Sequence, residues 1–277
     1  MDSPVQVPEP ASPASTIPPP GRPGIWSGLG VVALYFALQL GFGLLVGIAI
    51  GFYSAFKAGW VTGLWHATPL AHAAIHALMT HPDVAATSAV VTIAGAVVVT
   101  WLLVRRFWPA QWRVADPPGF GLVRAHAHGD YPIAVLLGIA VVLIGGALRH
   151  LLAHGHPVPQ NVGVLFGSAD TTLRVLLALV AIVVAPLGEE LIFRGALLSG
   201  FMRRMPAAWA VLATAVIFGC AHLPDFKFAW YAIPSLVIVG IALGWMRLYA
   251  HSLWPAVVLH ATNNAIAVFA WFVIVHR

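Results

Sequence analysis

The chain has 277 residues, of which 60% are hydrophobic and 8% charged, against about a quarter charged in an ordinary soluble domain. That balance excludes a soluble globular enzyme and places the chain in lipid. The net charge of +5 does not argue for a nucleic-acid binder, because the basic residues stand singly or in pairs at the ends of apolar runs, as topology signals do.

The single cysteine, Cys220, excludes an internal disulfide framework and a cysteine-based structural zinc site. Residues 1 to 24 hold eight prolines and almost no apolar bulk, so they read as a disordered, Pro-rich cytoplasmic tail. It is not read as a cleavable signal, since the first apolar run, 29 to 53, is long enough to span. Six further runs follow at about 84–104, 132–153, 172–201, 207–223, 228–247 and 254–275. Each approaches the ~20 residues that cross a bilayer core as a helix. The expected fold is therefore an all-α, polytopic transmembrane bundle of seven to eight spans, the eighth depending on Val61 to Pro82. His66, His72, His76 and His81 make that stretch polar, so it reads as an interfacial or re-entrant segment. His72 and His76 are spaced to share a metal, but no acidic ligand accompanies them.

With the N-terminus inside, seven spans put Arg22, Arg105, Arg106, Arg113, Arg124, Arg203, Arg204 and Arg247 on the cytoplasmic side and Lys57, Arg149, Arg174, Lys227 and Arg277 outside. This agrees with the positive-inside tendency. Tryptophans such as Trp26, Trp60, Trp108 and Trp254 lie near span ends, as an aromatic belt does. No internal repeat is visible, which counts against a secondary transporter. The chain divides into the tail (1–24), N-terminal membrane helices with the interfacial segment (25–168) and a C-terminal core (169–277).

The chemistry concentrates in that core. Of nine acidic residues, only Glu189 and Glu190 fall inside an apolar run. A carboxylate at that depth costs several kcal/mol unless it is paired or faces a wet cavity. Arg194 follows Glu190 by four residues on one helix face, so those two can pair, while Glu189 points about 100° away. The competing account is an Arg-clamped polar knot that only fixes helix packing. Phe218 with His222, and His260 with Asn264, repeat the four-residue spacing on two later runs. Three polar clusters on three spans must each face the bundle interior or a cavity, and convergence on one site accounts for all of them.

Peptide hydrolysis needs a base for water, donors for the oxyanion and an acid for the leaving amine. Glu189 with His222 can orient and deprotonate a water. His260 and Asn264 can supply oxyanion donors, or His260 can join Glu189 and His222 around a zinc ion with an open water position. The residues leave both versions open. Other protease chemistries lack their residues: there is no His-Glu-x-x-His helix, Ser199 is not set in Gly-x-Ser-Gly, and no apolar run contains an aspartate.

Glu189-Glu190-x-x-x-Arg194, Phe218-x-x-x-His222 and His260-x-x-x-Asn264, in this order on successive hydrophobic segments, resemble the three motifs of the CPBP family. That family comprises type II CAAX prenyl proteases and bacteriocin-processing or bacteriocin-immunity proteins of the Abi group. The resemblance covers residues 170 to 275, includes Ser252-Leu253-Trp254-Pro255, and does not extend to the N-terminal half. It implies an intramembrane endopeptidase of bacterial type in which Glu189 and His222 activate water. His260 and Asn264 would complete the site, with Glu190, Arg194 and Phe218 in support. It leaves the cofactor open between zinc, held by Glu189, His222 and His260, and no metal. The implied partners are membrane lipid and a peptide or membrane-protein substrate, with no nucleic acid, in a bacterial cytoplasmic membrane. The alternatives are a non-catalytic immunity or scaffold protein and a proton-coupled transporter.

Overall fold

The computed structural model describes residues 21–62, 77, 81–156 and 161–275. The tail up to residue 20, and His66, His72 and His76 with the eighth span they bear on, lie outside the described residues. His81 is described, and its ring accepts the Asp83 amide to cap the helix that follows.

Every one of the seven apolar runs is helical. Helix α1 covers Ile25–Thr62, α2 Pro82–Phe107 and α3 Asp130–Ala153. A short helix α4, Asn161–Ser168, lies where only a connection was expected. The central helix α5 runs continuously over Thr171–Met202. Then follow α6, Ala207–Ala221, α7, Ile233–Tyr249, and α8, Trp254–Val275. Among the described residues the structure is all-helical, with six helices long and apolar enough to cross a membrane and α6 as a shorter apolar helix. At 15 residues, α6 falls below the usual membrane-spanning length. It stops at His222 because Pro224 follows within a tight 3-10 turn, Leu223–Phe226. Asp83 and Asp130 fall in the first turns of α2 and α3, where a carboxylate favours the helix dipole.

Helix α5 is the axis of the bundle: α1 and α2 pack on it from one side, α6, α7 and α8 from the other, while α3 closes against α7 and α8. Around its polar residues its wall is apolar, with Leu191, Ile192, Phe193, Ala196 and Leu197 fully buried. Several crossings depend on glycine, among them those at Gly188 and Gly240. A Cβ on Gly188 would stand 2.4 Å from Val97 of α2, and one on Gly240 would stand 2.8 Å from the Ala215 backbone of α6. With Gly244, Gly240 forms the small-x-x-x-small face that lets membrane helices approach closely.

Two stretches of α5, Val180–Val184 and Leu191–Leu197, are wound as π-helix. The first has a local cause. Pro186 carries no amide proton and its ring crowds the carbonyl four residues back. The preceding turn widens, and the Ala185 amide reaches back to Val180. Such bulges recur at functional sites.

One end of the bundle is tied by its connections. Arg247 is completely buried and donates to the carbonyls of Ala115 and Gly119 at 2.6 and 3.0 Å. Arg203 donates to Arg22 O at 3.2 Å. Basic residues expected to mark one membrane side thus also hold the 108–129 loop and the start of α1.

Candidate active site

The glutamates enter the bundle on α5 between the two π stretches. Glu190 Oε1 accepts Arg194 Nη1 at 3.0 Å, the i,i+4 pair the sequence predicted, and both side chains are wholly buried. Arg194 also donates to Gly240 O at 3.0 Å. Its guanidinium carbon lies 4.7 Å from the centre of the Phe218 ring, within cation–π range. The same ring meets His222 at 4.4 Å and His260 at 5.8 Å between centroids, so Phe218 is the packing hub of the site.

His222 caps α6. Its Nδ1 is 2.8 Å from Phe218 O, one of the carbonyls a helix end leaves without an intrahelical partner. Because that carbonyl only accepts, Nδ1 carries the proton, and Nε2 is directed at Glu189 Oε2, 3.5 Å away. His260, on the second turn of α8, is fixed in the same sense. Its Nδ1 lies 2.8 Å from Glu190 Oε1 and its Nε2 lies 3.8 Å from Glu189 Oε2.

Burial separates the five groups. Glu190 and Arg194 are 0% exposed and His260 5%, whereas Glu189 and His222 keep 13% and 20%. Those two, with the edge of His260, line a cavity of about 480 Å³ that extends among α1, α3, α5, α7 and α8. Glu189 is thus the carboxylate that can be reached, and Glu190 the one sealed behind it.

Asn264 borders the same cavity, but its amide is engaged. Nδ2 donates to Ala181 O at 2.8 Å and Oδ1 accepts from Asn263 at 3.0 Å. The cause lies in α5. The Ala181 carbonyl would take the amide of residue 185 in an α-helix or of 186 in a π-helix. The first turns to Val180 and the second belongs to a proline. Asn264 satisfies the carbonyl that Pro186 leaves bare.

The donors Glu189, His222 and His260 are of the chemical type that holds catalytic zinc, and their outer hydrogen bonds fix both rings as metal sites do. As placed they do not close around an ion: among the described residues no three His, Cys, Asp or Glu side chains form a metal-holding group.

Sequence reasoning missed three contributors: the Gly240 carbonyl that holds Arg194, and the side chains of Tyr35 and Arg149 in the cavity wall. A backbone carbonyl leaves no sequence signal. Arg149 stood as a lone charge four residues from the end of an apolar run and was read only for topology.

The fold and the site together define an integral membrane protein of polytopic helical type with a carboxylate–histidine cluster held inside its bundle. Residues 171–266 match the model of a particular family, type II CAAX prenyl endopeptidase Rce1-like, a match that supports the CAAX protease family its motifs resemble. All the motif residues from Glu189 to Asn264 lie inside the matched segment. No curated protein and no solved structure matches the chain.

Proposed function

We propose that the chain is a CAAX-protease-like intramembrane endopeptidase that hydrolyses a peptide bond, at or near the membrane surface, through a water activated by Glu189 and His222. The observation that carries this reading is the division of the cluster. Glu189, His222 and His260 border the cavity, while Glu190 and Arg194 form a sealed ion pair behind them that holds the His260 ring.

In the proposed reaction Glu189 takes a proton from water as the oxygen adds to the scissile carbonyl carbon. The carbonyl π electrons move to the oxygen. That proton then passes from Glu189, directly or by way of His222, to the amide nitrogen as the C–N bond breaks, leaving a carboxylic acid, which ionises in water, and an amine. His260, pinned by Glu190, orients Glu189, and Asn264 keeps α5 and α8 in register beneath it. The substrate is a peptide or a membrane-protein segment. We place the protein in a bacterial cytoplasmic membrane with its N-terminus inside.

The test compares membranes of cells producing wild type and Glu189→Gln at equal levels, by mass spectrometry of newly created protein N-termini. Termini that appear only with wild type are expected. Identical termini from both would sink the protease reading, and a phenotype fully retained by Glu189→Gln would move that phenotype to the immunity or scaffold class.

A further inference from the structure

Among the charged groups lining the active-site cavity, Arg149 is unaccounted for. It sits on α3, half-buried, and it makes no hydrogen bond or ion pair with any described residue. The other carboxylates of the chain show why. Asp83 accepts the Asp170 amide, Asp170 the Thr172 amide and Asp130 the Ala127 amide. Asp116 meets His251, and Glu189 and Glu190 are held within the site. Asp225 lines the cavity without pairing with Arg149. Asp2 and Glu9 lie outside the described residues, and the undescribed segments 63–76, 78–80 and 157–160 contain no acidic residue.

An uncompensated guanidinium within an apolar span is costly, and such residues by default face a functional cavity and a partner. On α3 the cavity wall includes Val141, Gly145 and Arg149. These residues are four apart and form a stripe about 12 Å long with the guanidinium at its end. Gly145 contributes no side chain to the wall, and no neighbouring charge compensates the burial of Arg149. Whatever occupies the cavity lined by Glu189 therefore shares it with a free bidentate donor suited to a planar anion.

We infer that Arg149 recognises a carboxylate of the peptide substrate within the cavity served by Glu189. This rests on the protease reading for the identity of the occupant. A peptide offers two such groups, an Asp or Glu side chain and its C-terminal carboxylate, both anchored a few residues from the bond to be cut. Arg149 is on this account a specificity residue, which acts on binding and leaves the chemistry at Glu189 to its own groups.

The test measures binding separately from turnover. Full-length Glu189→Gln protein, in detergent and in phosphatidylcholine vesicles, is offered a fluorescent peptide library. One arm carries Asp or Glu against Asn or Gln at each position, the other a free C-terminal acid against an amide. The acidic forms are expected to bind at least tenfold more tightly, and the arm in which this occurs assigns the source. Adding Arg149→Gln should erase the preference, while Arg149→Lys should keep part of it. No preference in either arm, or one that survives Arg149→Gln in a normally folded protein, overturns the inference. So does an effect of Arg149→Gln seen only as altered thermal stability in vesicles, which would assign the guanidinium to a lipid phosphate. Cleavage of the same library by Arg149-intact protein, lost in Glu189→Gln, tests the protease reading independently. Acid-selective binding without cleavage would overturn that reading alone.

Discussion

His260 Nδ1 and Arg194 Nη1 converge on one oxygen, Glu190 Oε1, at 2.8 and 3.0 Å. A single carboxylate atom thereby joins α5 to α8, and through Arg194 and Gly240 O to α7. Removing one member of a buried charged set leaves the rest unpaired, at a cost of ~3–5 kcal/mol. Glu190→Ala is therefore expected to lower thermal stability in detergent sharply, more than Glu189→Gln does. Differential scanning fluorimetry on the purified variants makes the comparison. Equal melting temperatures for Glu190→Ala and wild type would show that the sealed cluster is not structural.

Glu189 and His222 act on the same proton in the proposed reaction, so their losses should not multiply. Each single variant, Glu189→Gln or His222→Gln, is expected to lower turnover by about 10²–10⁴. The double variant should be little worse than the more damaged single one, as for residues that work as a unit. Rates on a cleaved peptide, once N-terminal mapping supplies one, decide this. Independent, multiplying effects would separate the two residues into different steps.

The metal question has its own expected outcome. Glu190 is held by Arg194 and His260 without an ion, and as placed the three donors do not close around one, so chelator should leave the melting temperature of the protein unchanged. Elemental analysis of purified protein supplies the check. One zinc per chain, lost in both Glu189→Gln and His222→Gln, would show that the three donors rearrange around a metal.

Much of this site was legible because membrane cost makes ionisable residues informative. Glu190 and Arg194 at four-residue spacing gave a pair that the structure forms, and His222 and His260 meet Glu189 as three converging clusters require. The helices were equally visible, since each run of apolar residues can satisfy its backbone only by winding up. Helix α4 was not visible. Its eight residues include two glycines and have no room for a periodic pattern, and it is held by Phe166, whose ring lies 5.2 Å from that of Trp271 and 5.5 Å from that of Phe272. Nor could spacing foresee that the Asn264 amide is spent on a backbone carbonyl, because counting residues on a face presumes a regular helix and α5 is not one.

That irregularity ties Asn264 to Pro186. Asn264 bonds the Ala181 carbonyl because Pro186 has no amide to offer it. Asn264→Ala should leave a buried carbonyl bare and cost ~1–3 kcal/mol, read as a lower melting temperature. Pro186→Ala restores an amide proton two residues before Gly188, so α5 can close its own hydrogen bonds there. In that background the loss of Asn264 should matter less, and the two substitutions should be clearly non-additive. Melting temperatures of the two single variants, the double variant and wild type complete the cycle. Additive losses would mean that Asn264 stabilises the site through something other than the carbonyl freed by the proline.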